Sequence, residues 1–493
     1  MKSIYDKMES LNANKYTENG DLQYSTTADN NLDLFGTMGA MRNMDEHDIL
    51  ELFDSAYSEN KTVALANLLY LRDILKGLGE RKSFRTILKV AKTNDEFAKD
   101  LKNLFPYILE LGRWDDLLFI MENSKVARED IVRYIKNQLK SDLESETPSL
   151  CAKWMPSENA SNKQTINNAK KLRKLLGMSS KEYRKTLSSI RKKINLIENQ
   201  LRKNDYDSIN YEQVPSKAMN KYFKAFFRND EDNFKKYLDD VNTGNKKINV
   251  GTLYPHEIIG KYYKSSYYYY FNTPDQDVCN MVIQQWDNIE RISSDKKSIV
   301  VRDGSGSMYG TPLNVATALS ILLSEQLDGG FKDSFITFSS KPQIVRFKDG
   351  SNIIEKLDTA SKYDEVADTN IEAVYDLIFK TLKDEPETSI DNIIIISDMQ
   401  FNCGAYNIPT YQSLKDKFNK IGRKVPHIVY WNVNATDVGF PVSKYENVKL
   451  VSGFSNSLLQ SVIHSDIMTP KDFMLDTLSY HIDIVKKCLT NNQ

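Results

Sequence analysis

The chain has 493 residues, of which 40% are hydrophobic and 27% are charged, and its formal net charge is −1. This composition is typical of a soluble globular protein of about two to four domains. No run of 18 or more apolar residues occurs, and the first twenty residues lack the apolar core of a signal peptide, so we expect a cytoplasmic protein without a membrane span.

Cysteine and histidine spacing argues against disulfides and against zinc. The four cysteines form no CxxC pair and lie far apart, which favours reduced thiols in a cytosol-like compartment. His256 and Glu257 begin an HE pair, but no second histidine follows at the HExxH spacing. Nucleophile-elbow, Walker A and dinucleotide-binding motifs are also missing, so we expect no catalytic residues and no enzyme.

The first 295 residues are predicted to be irregular at the start and then helical. Residues 1–30 are polar and are predicted to be mostly irregular. Residues 31–295 are predicted to form a helical-repeat, HEAT-like domain of paired helices. An apolar residue recurs every three or four positions from Leu187 to Leu201, through Ile190, Ile194 and Ile197, which predicts one amphipathic helix.

Two segments of this part have compositions that leave two interpretations open. Residues 151–210 contain fourteen Lys or Arg and five Asp or Glu, an excess of +9. Such an excess marks either a polyanion-binding face or a set of solvated helix faces. The tyrosine-rich residues 261–271 could stack on bases, but packing between helices is the commoner role of such side chains.

From residue 296 onward, strand-like apolar runs alternate with helical patterns. The runs are SIVVRD, SFITFSS, QIVRF, NIIIISDM, HIVYWNV and VKLVSG, and FMLDTLSYHIDIVKKCL is predicted to be a closing helix. Runs such as IIIIS are typical of strands that are buried on both faces. Residues 296–493 are therefore predicted to form a doubly wound α/β domain around a mostly parallel sheet.

Oxygen-bearing side chains follow two of these predicted strands. Asp303, Ser305 and Ser307 lie in the loop after SIVVR, Asp398 ends IIIISD, and Thr369 precedes a predicted helix. Ligands of open α/β sheets bind at the carboxyl ends of the strands, where these loops would meet if the two strands are neighbours. Two carboxylates and three hydroxyls suit Mg²⁺ or another divalent cation. The alternative is a serine-rich turn without a metal.

This pattern resembles the metal-ion-dependent adhesion site (MIDAS) of von Willebrand factor A domains. That family has Asp-x-Ser-x-Ser after its first strand, then a Thr, and then an Asp after a later strand, in the order found here. The resemblance implies that the metal keeps one position open for an oxygen of a partner. Gly304 departs from the family pattern, because a bulkier apolar residue usually stands there.

A helical part followed by an A domain resembles the Ro-type RNA-binding proteins, in which a ring of helical repeats, the TROVE module, is closed by the A domain. The segment NGDLQYSTTADNNLDLFGTMGAMR is similar to the start of that module. The layout is closer to a family of uncharacterised proteins of plants and large DNA viruses. The motifs that carry this resemblance are LRDILKGLGER, LGRWDDLL, LCAKWMPSE, EYRKTLSSIR and TLYPHEI.

The resemblance favours RNA binding by the basic segment. The candidate residues are Lys153, Arg173, Lys181, Arg184, Lys185, Arg191, Lys192 and Lys193. In LGRWDDLL, Asp115 and Asp116 are interpreted as helix-capping acids beside a packed Trp114, not as catalytic groups.

Three functional hypotheses follow. The first is a ring-like scaffold for a non-coding RNA or ribonucleoprotein, whose A domain docks a protein partner through Mg²⁺ in the cytoplasm, or in the host cytoplasm or virion if the protein is viral. The second is a protein–protein adhesion or assembly factor, or a virion-associated structural protein, without RNA. The third, metal-assisted hydrolysis at Asp303 and Asp398, is disfavoured because one hard cation with hydroxyl ligands is better suited to docking a carboxylate.

Overall fold

The computed structural model divides the chain into two compact units. It describes residues 14–490, except 195, 264–275, 293, 295, 328, 340, 365–368, 386–387, 403–409, 443–446, 456–457 and 465–468. One unit comprises Met1–Leu71, Leu75–Ser83 and Val250–Ile482, and the other comprises Arg72–Ile74, Phe84–Asn249 and Asp483–Gln493. The sequence-based boundaries near residues 30 and 295 stay a prediction.

The elements of the described chain before residue 296 are almost all helical. They are β1 (Asn14–Tyr16), β2 (Leu22–Tyr24), α1 (Asn30–Thr37), α2 (Glu46–Glu59), α3 (Lys61–Arg72), α4 (Lys82–Ile87), α5 (Asp95–Leu111), α6 (Trp114–Asn123), α7 (Lys125–Glu144), α8 (Cys151–Trp154), α9 (Lys163–Leu175), α10 (Ser180–Lys193), α11 (Ile197–Lys203), α12 (Ser216–Asn229), α13 (Glu231–Asn242), α14 (Pro255–Ile259) and α15 (Gln276–Asp287).

After residue 296 strands and helices alternate, as predicted. The elements are β3 (Ser298–Arg302), α16 (Thr311–Gln326), β4 (Ser334–Thr337), β5 (Ile344–Arg346), α17 (Ile353–Ser361), α18 (Ile371–Asp384), β6 (Asn392–Ser397), α19 (Thr410–Lys420), β7 (His427–Asn432), β8 (Val448–Ser452), α20 (Leu458–His464), α21 (Pro470–Thr477) and α22 (Ser479–Thr490). The predicted closing helix is thus divided into α21 and α22 at Leu478. No helix in the described part of the chain is long and apolar enough to cross a membrane.

The predicted fold class is confirmed: a largely helical region precedes a mixed, mostly parallel sheet. The helices begin at local capping signals. Ser124 accepts a hydrogen bond from the Ala127 amide at the start of α7, and Ser179 and Glu182 form a capping box at the start of α10. Helices α5, α6 and α7 pack on one another, and so do α12 and α13.

One predicted helix is broken in two. The prediction of a single amphipathic helix through Leu187 and Leu201 is wrong, because α10 ends at Lys193 and Ile194 has an extended backbone. The Asn199 side chain donates to the Arg191 carbonyl oxygen at 3.2 Å, which satisfies one of the carbonyls left open at the helix end. Ile194 and Ile197 are nevertheless buried, so the apolar stripe survives the break.

The sheet has the strand order β5-β4-β3-β6-β7-β8, and only β4 and β5 pair antiparallel. Strands β3 and β6 are neighbours in parallel register, from Ser298 opposite Asn392 to Arg302 opposite Ile396. This confirms the adjacency on which the predicted site depends. The loops that follow these two strands therefore leave the sheet side by side.

Helices cover both faces of the sheet, which is why its strands are apolar throughout. Ile299, Val301, Ile393 and Ile395 belong to a buried cluster that includes apolar residues of α18 and α19. Helix α16 packs on β3, β4 and β6 and is itself buried along most of its length. Strands enclosed in this way have no polar face to alternate with an apolar one.

Within the mostly irregular N-terminal segment, residues 14–24 contain two short strands that were not predicted. Strands β1 and β2 form an antiparallel hairpin, with Asn14 opposite Tyr24. The amide and carbonyl groups of Tyr24 also pair with Phe440, at 2.8 and 2.9 Å. The strands are polar and three residues long, so tertiary pairing, not an apolar pattern, holds them.

Of the tyrosine-rich segment, residues 264–271 lie outside the described residues. Tyr262 donates to Asp358 at 2.6 Å.

The segment similar to the start of the TROVE module forms a network of hydrogen bonds at the N-terminal end of α1. Asp33 accepts hydrogen bonds from the Thr26 hydroxyl at 2.5 Å and from the Thr27 amide at 2.8 Å, and Asp29 caps α1 by accepting from the Leu32 amide. Burial raises the pKa of the Asp33 carboxyl to about 6, despite these donors.

We expect the Asp33 carboxyl to make stability depend on pH. Its folded-state pKa lies above that of an unfolded Asp, about 3.9, so its contribution is complete below pH 4 and is lost as the pH rises through 6. The loss should be roughly 2–3 kcal/mol. Asp33→Asn should remove this pH dependence in urea unfolding at pH 4.5 and pH 7, whereas Asp45→Asn at the exposed start of α2 should retain it. If Asp33→Asn loses as much stability between pH 4.5 and pH 7 as the unmodified protein does, this prediction is wrong.

Candidate metal-binding site and basic surface

Asp303 is the most enclosed of the predicted metal ligands. It follows β3, has no solvent exposure, and its amide donates to the Ile396 carbonyl oxygen of β6 at 3.0 Å. One carboxylate oxygen accepts from the Ser305 amide at 2.9 Å and the other from the Ser397 hydroxyl at 2.6 Å. Both oxygens are thus fixed at the carboxyl edge of the sheet. Ser397 was not predicted, although its place directly before Asp398 at the strand end could have suggested it.

Four of the five predicted ligands are brought together. The Ser305 and Ser307 hydroxyl oxygens lie 3.2 Å apart, and the Ser307 hydroxyl hydrogen-bonds to the Asp398 carboxylate. Asp398 also accepts from the Gln400 amide at 3.1 Å, which fixes it in the loop after β6. The alternating Asp-x-Ser-x-Ser spacing therefore places its polar side chains on one side of the loop.

Each of the two carboxylates makes ionisation of the other less favourable. Burial raises the pKa of the Asp303 carboxyl. Burial, followed by the charge of Asp303, raises the pKa of Asp398 to about 7. Two acids that are close together and largely shielded from water are destabilised when both are ionised, and a nearby cation reverses that effect.

Thr369 lies beside the residues that follow Asp398. Its hydroxyl oxygen is 2.8 Å from the Gln400 carbonyl oxygen and 2.9 Å from Oδ1 of Asn402. The Asn402 amide in turn donates to the Thr369 carbonyl oxygen at 2.9 Å. The loop that carries Thr369 is thus joined to the loop of Asp398, and neither Gln400 nor Asn402 was identified from the sequence.

Gly304 lies in a sterically tight position. A Cβ atom at this position would lie 3.0 Å from the Tyr363 carbonyl oxygen and 3.2 Å from Nη2 of Arg302. The Arg302 guanidinium is buried, pairs with Asp364 and donates to Thr317 at 3.1 Å. A side chain at 304 would require these neighbours to shift by a few tenths of an ångström.

The donor set fits a hard divalent cation. The cluster offers two carboxylates and hydroxyl groups, and oxygen ligands of this kind are those that Mg²⁺ prefers. Among the described residues, no three His, Cys, Asp or Glu side chains are grouped closely enough to hold a metal. A cation here would therefore depend on the hydroxyls as well as on Asp303 and Asp398.

The basic segment presents one exposed cationic face. On α10 the buried side chains are Tyr183, Thr186, Leu187 and Ile190, and the opposite face is exposed. The cationic residues on that exposed face are Lys181, Arg184, Lys185 and Lys192. Their spacing of three, four and seven residues places them along one line of the helix surface.

The other residues of the predicted RNA site contact groups of the protein itself. Arg191 donates to the Ala152 and Met155 carbonyl oxygens at 2.8 and 2.7 Å and to the Ser157 hydroxyl at 2.7 Å. Arg173 pairs with Glu158 at 2.9 Å. The remaining two contact nearby groups: Lys193 donates to the Leu143 carbonyl oxygen at 2.6 Å, and Lys153 Nζ lies 5.8 Å from the Trp154 ring centroid.

Comparison with known proteins assigns the chain to a family. Residues 160–297 match a family model described as "Domain of unknown function (DUF2828)", and residues 297–483 match "Domain of unknown function (DUF7788)". "Uncharacterized protein L728" of Acanthamoeba polyphaga mimivirus is 30% identical over 516 residues, covering 95% of this chain and 87% of the viral protein. The chain belongs to the same family as this mimivirus protein.

Among solved structures, the chain is similar to the Ro (RSR) protein of Deinococcus radiodurans. The alignment covers 92% of this chain and 100% of that chain, at 12% identity and a TM-score of 0.42.

In this member of the L728 family, two of the quoted motifs meet in a buried ion-pair cluster. Asp116 of LGRWDDLL has no solvent exposure and accepts from Nε of Arg72, in LRDILKGLGER, at 2.7 Å. It also accepts from Nη2 of Arg85 at 2.8 Å and from the Arg113 amide at 3.1 Å, which caps α6. Asp115 pairs with Arg85 at 2.6 Å. These contacts agree with the structural interpretation of the two acids.

Proposed function

We propose that the protein is an RNA-binding helical scaffold that docks an acidic protein partner through a divalent cation, and that it is not an enzyme. The observation that carries the docking half is the oxygen cluster of Asp303, Ser305, Ser307 and Asp398 at the carboxyl edge of the sheet. These residues are the ones that match the adhesion-metal motif of the A domains, which this part of the sequence resembles.

The protein would hold Mg²⁺ with its own oxygens and leave part of the coordination shell to water. Asp303, Ser305 and Ser307 would be direct ligands, and Asp398 and Thr369 would bind directly or through water. The bound cation supplies positive charge to which an Asp or Glu of a partner can be attracted. Ser307, the exposed member of the cluster, marks the side from which such an acid can approach.

Pull-downs from native lysate with and without EDTA test the docking half. A partner that is held through the metal should be released by EDTA, whereas RNA held by the basic face of α10 should remain. Asp398→Ala should release the same partner without EDTA. If the same proteins stay bound in all conditions, docking through the metal is wrong. If the purified protein hydrolyses phosphoesters and Asp398→Ala abolishes this activity, the non-enzymatic assignment is wrong.

The RNA-binding half is supported by the exposed cations of α10. Phosphate contacts by lysine and arginine release counterions and make affinity depend on salt, irrespective of sequence. Lys181, Lys185 and Lys192 are exposed, whereas Arg191 is engaged with three groups of its own fold. The lysines are therefore better targets for mutation than Arg191.

Reversing Lys181, Lys185 and Lys192 to Glu should weaken binding of single-stranded RNA of any sequence. Each lost phosphate contact should reduce the slope of log affinity against log salt by about 0.7. Fluorescence anisotropy at about 50–300 mM KCl, a range that spans physiological ionic strength, measures that slope. The matched control reverses Lys224, Lys236 and Lys247, which are exposed on other segments. Equal slopes in both variants would place the RNA contacts elsewhere.

A further inference from the structure

A buried arginine lies directly before the first predicted metal ligand. Arg302 is the last residue of β3, and its side chain is only 1% exposed. Nη1 of Arg302 donates to the Thr317 hydroxyl of α16 at 3.1 Å. Nη2 donates to the Tyr363 carbonyl oxygen at 3.2 Å and to Oδ1 of Asp364. The guanidinium therefore holds the segment that follows α17 against the end of β3.

The segment that this arginine holds also contacts the loop after β3. Tyr363 and Asp364 lie so close to Gly304 that a Cβ atom there would be 3.0 Å from the Tyr363 carbonyl oxygen and 3.9 Å from Cα of Asp364. Gly304 directly follows Asp303, and Thr369 comes only five positions after Asp364. The position of Asp364 therefore constrains both loops, the one that carries Asp303 and the one that carries Thr369.

Tyr263 joins this arrangement from an earlier part of the chain. Its hydroxyl donates to Oδ2 of Asp364, so that the carboxylate contacts Arg302 with one oxygen and Tyr263 with the other. Tyr263 is only 5% exposed, and its amide donates to the Ile259 carbonyl oxygen at the end of α14 at 2.8 Å. Hydrogen bonds to a charged group are stronger than those between neutral groups, and removal of water strengthens them further. The tyrosine thus fixes the orientation of the Asp364 carboxylate.

The backbone that carries Tyr263 is itself anchored. Helix α14, which belongs to the motif TLYPHEI, packs on α16. The Tyr254 hydroxyl at its start donates to the carbonyl oxygen of Leu78, in LRDILKGLGER, at 2.6 Å. Both motifs lie outside residues 297–483, the part that matches the DUF7788 model. Residues that precede the α/β part therefore support the loops that carry its predicted metal ligands.

We propose that Tyr263 is a positioning residue of the metal site, which acts through Asp364 and Arg302 to hold the two ligand loops in the arrangement that binds the cation. This inference rests on the proposed metal-dependent function and adds a link between the metal site and the chain before residue 296. Coupling between two sites is reciprocal, so a bound cation should in turn stabilise the contact of Tyr263 with Asp364.

Mn²⁺ titration of the full chain tests the proposal, with electron paramagnetic resonance for the affinity and for the spectrum of the bound ion. Tyr263→Phe removes only the hydroxyl and should bind Mn²⁺ about fivefold more weakly, the lower end of the usual range for two coupled sites. The spectrum of the bound ion should also change, since it reports how the ligands are arranged, and a tyrosine that only stabilised the fold would leave it unaltered. The matched control is Tyr262→Phe, which removes the neighbouring hydroxyl and its hydrogen bond to Asp358 on α17.

A second variant tests the path through Asp364. Asp364→Asn keeps an oxygen for Arg302 but removes the charge, and it should bind Mn²⁺ at least about tenfold more weakly, because the loss of an outer-shell partner typically costs 10–100-fold. Adding Tyr263→Phe to this variant should change the affinity little further, since residues of one hydrogen-bonded network do not act additively. If Tyr263→Phe has the same effect in both backgrounds, Tyr263 does not act through Asp364 and the proposal is wrong.

The results separate this inference from the metal site itself. If Asp303→Ala loses Mn²⁺ binding but Tyr263→Phe has the affinity and the spectrum of Tyr262→Phe, the positioning role is wrong and the metal site stands. If the unmodified protein binds no Mn²⁺, or Asp303→Ala binds it equally well, both proposals are wrong. A loss of affinity and a changed spectrum that are confined to Tyr263→Phe and Asp364→Asn support the positioning role.

Discussion

Replacing Asp303 by Ala should weaken Mg²⁺ binding by more than about a hundredfold, because the loss of even an outer-shell group costs 10–100-fold. Asp303 is the only charged group of the first loop, and hydroxyl oxygens alone cannot offset the dehydration of Mg²⁺. Isothermal titration calorimetry measures the loss.

Two further variants sharpen this result. Asp303→Asn keeps one carbonyl oxygen, which can accept from the Ser305 amide, and its NH2 group can donate to the Ser397 hydroxyl oxygen. It removes the charge, and it should lose Mg²⁺ binding as well. Asp349→Ala removes an exposed carboxylate from the loop after β5 and should bind Mg²⁺ like the unmodified protein. Undiminished Mg²⁺ binding in Asp303→Asn would show that the charge of Asp303 is not needed and that the site is wrongly assigned.

Asp116→Ala should destabilise the protein by about 3–5 kcal/mol, the typical cost of removing one partner from a buried ion pair. The Arg72 guanidinium is 2% exposed and would lose the carboxylate that its Nε contacts. Urea unfolding, followed by circular dichroism, measures the change in the free energy of unfolding. The change should persist in EDTA, because the cluster contains no predicted metal ligand.

The neighbouring acid provides the control for this prediction. Asp115 pairs with Arg85 and Arg113, but its side chain is 18% exposed. In Asp115→Ala, water can therefore replace some of the contacts that the two arginines lose. Its loss should cost about 1 kcal/mol, close to the value of an exposed pair. Equal costs for the two variants would mean that burial of Asp116 does not govern the stability of the cluster.

The sheet and the loop that carries Asp303 could be predicted because their signals are local. Strands such as Asn392–Ser397 are nearly continuous apolar runs. A strand that is buried on both faces can be recognised from such a run alone, without knowledge of its neighbouring strands. The alternating Asp-x-Ser-x-Ser spacing sets which side chains share one side of the loop. The convergence with Asp398 follows from the general rule that ligands bind at the carboxyl ends of parallel strands.

The basic surface could be predicted only in part. The excess of positive charge in residues 151–210 is visible in the sequence, and so is the exposed line of lysines on α10. The division between Lys192, which faces solvent, and Arg191, which bonds to Ala152, Met155 and Ser157, depends on a chain segment almost forty residues away. Charge patterning does not contain that information.

The sequence by itself determined the alternation of strands and helices after residue 296, the loop that carries Asp303, and the position of Asp398 at the end of another buried strand. Tertiary structure alone decided which distant residues meet there. The N-terminal hairpin is too short and too polar to be recognised as strands, and Asn19 contacts Thr369 across 350 positions of the chain. Likewise, Arg72 and Asp116 are 44 positions apart. The physical reason is that periodicity and capping report interactions between near neighbours, whereas these hydrogen bonds and ion pairs form only after packing has enclosed the groups and removed water as a competing partner.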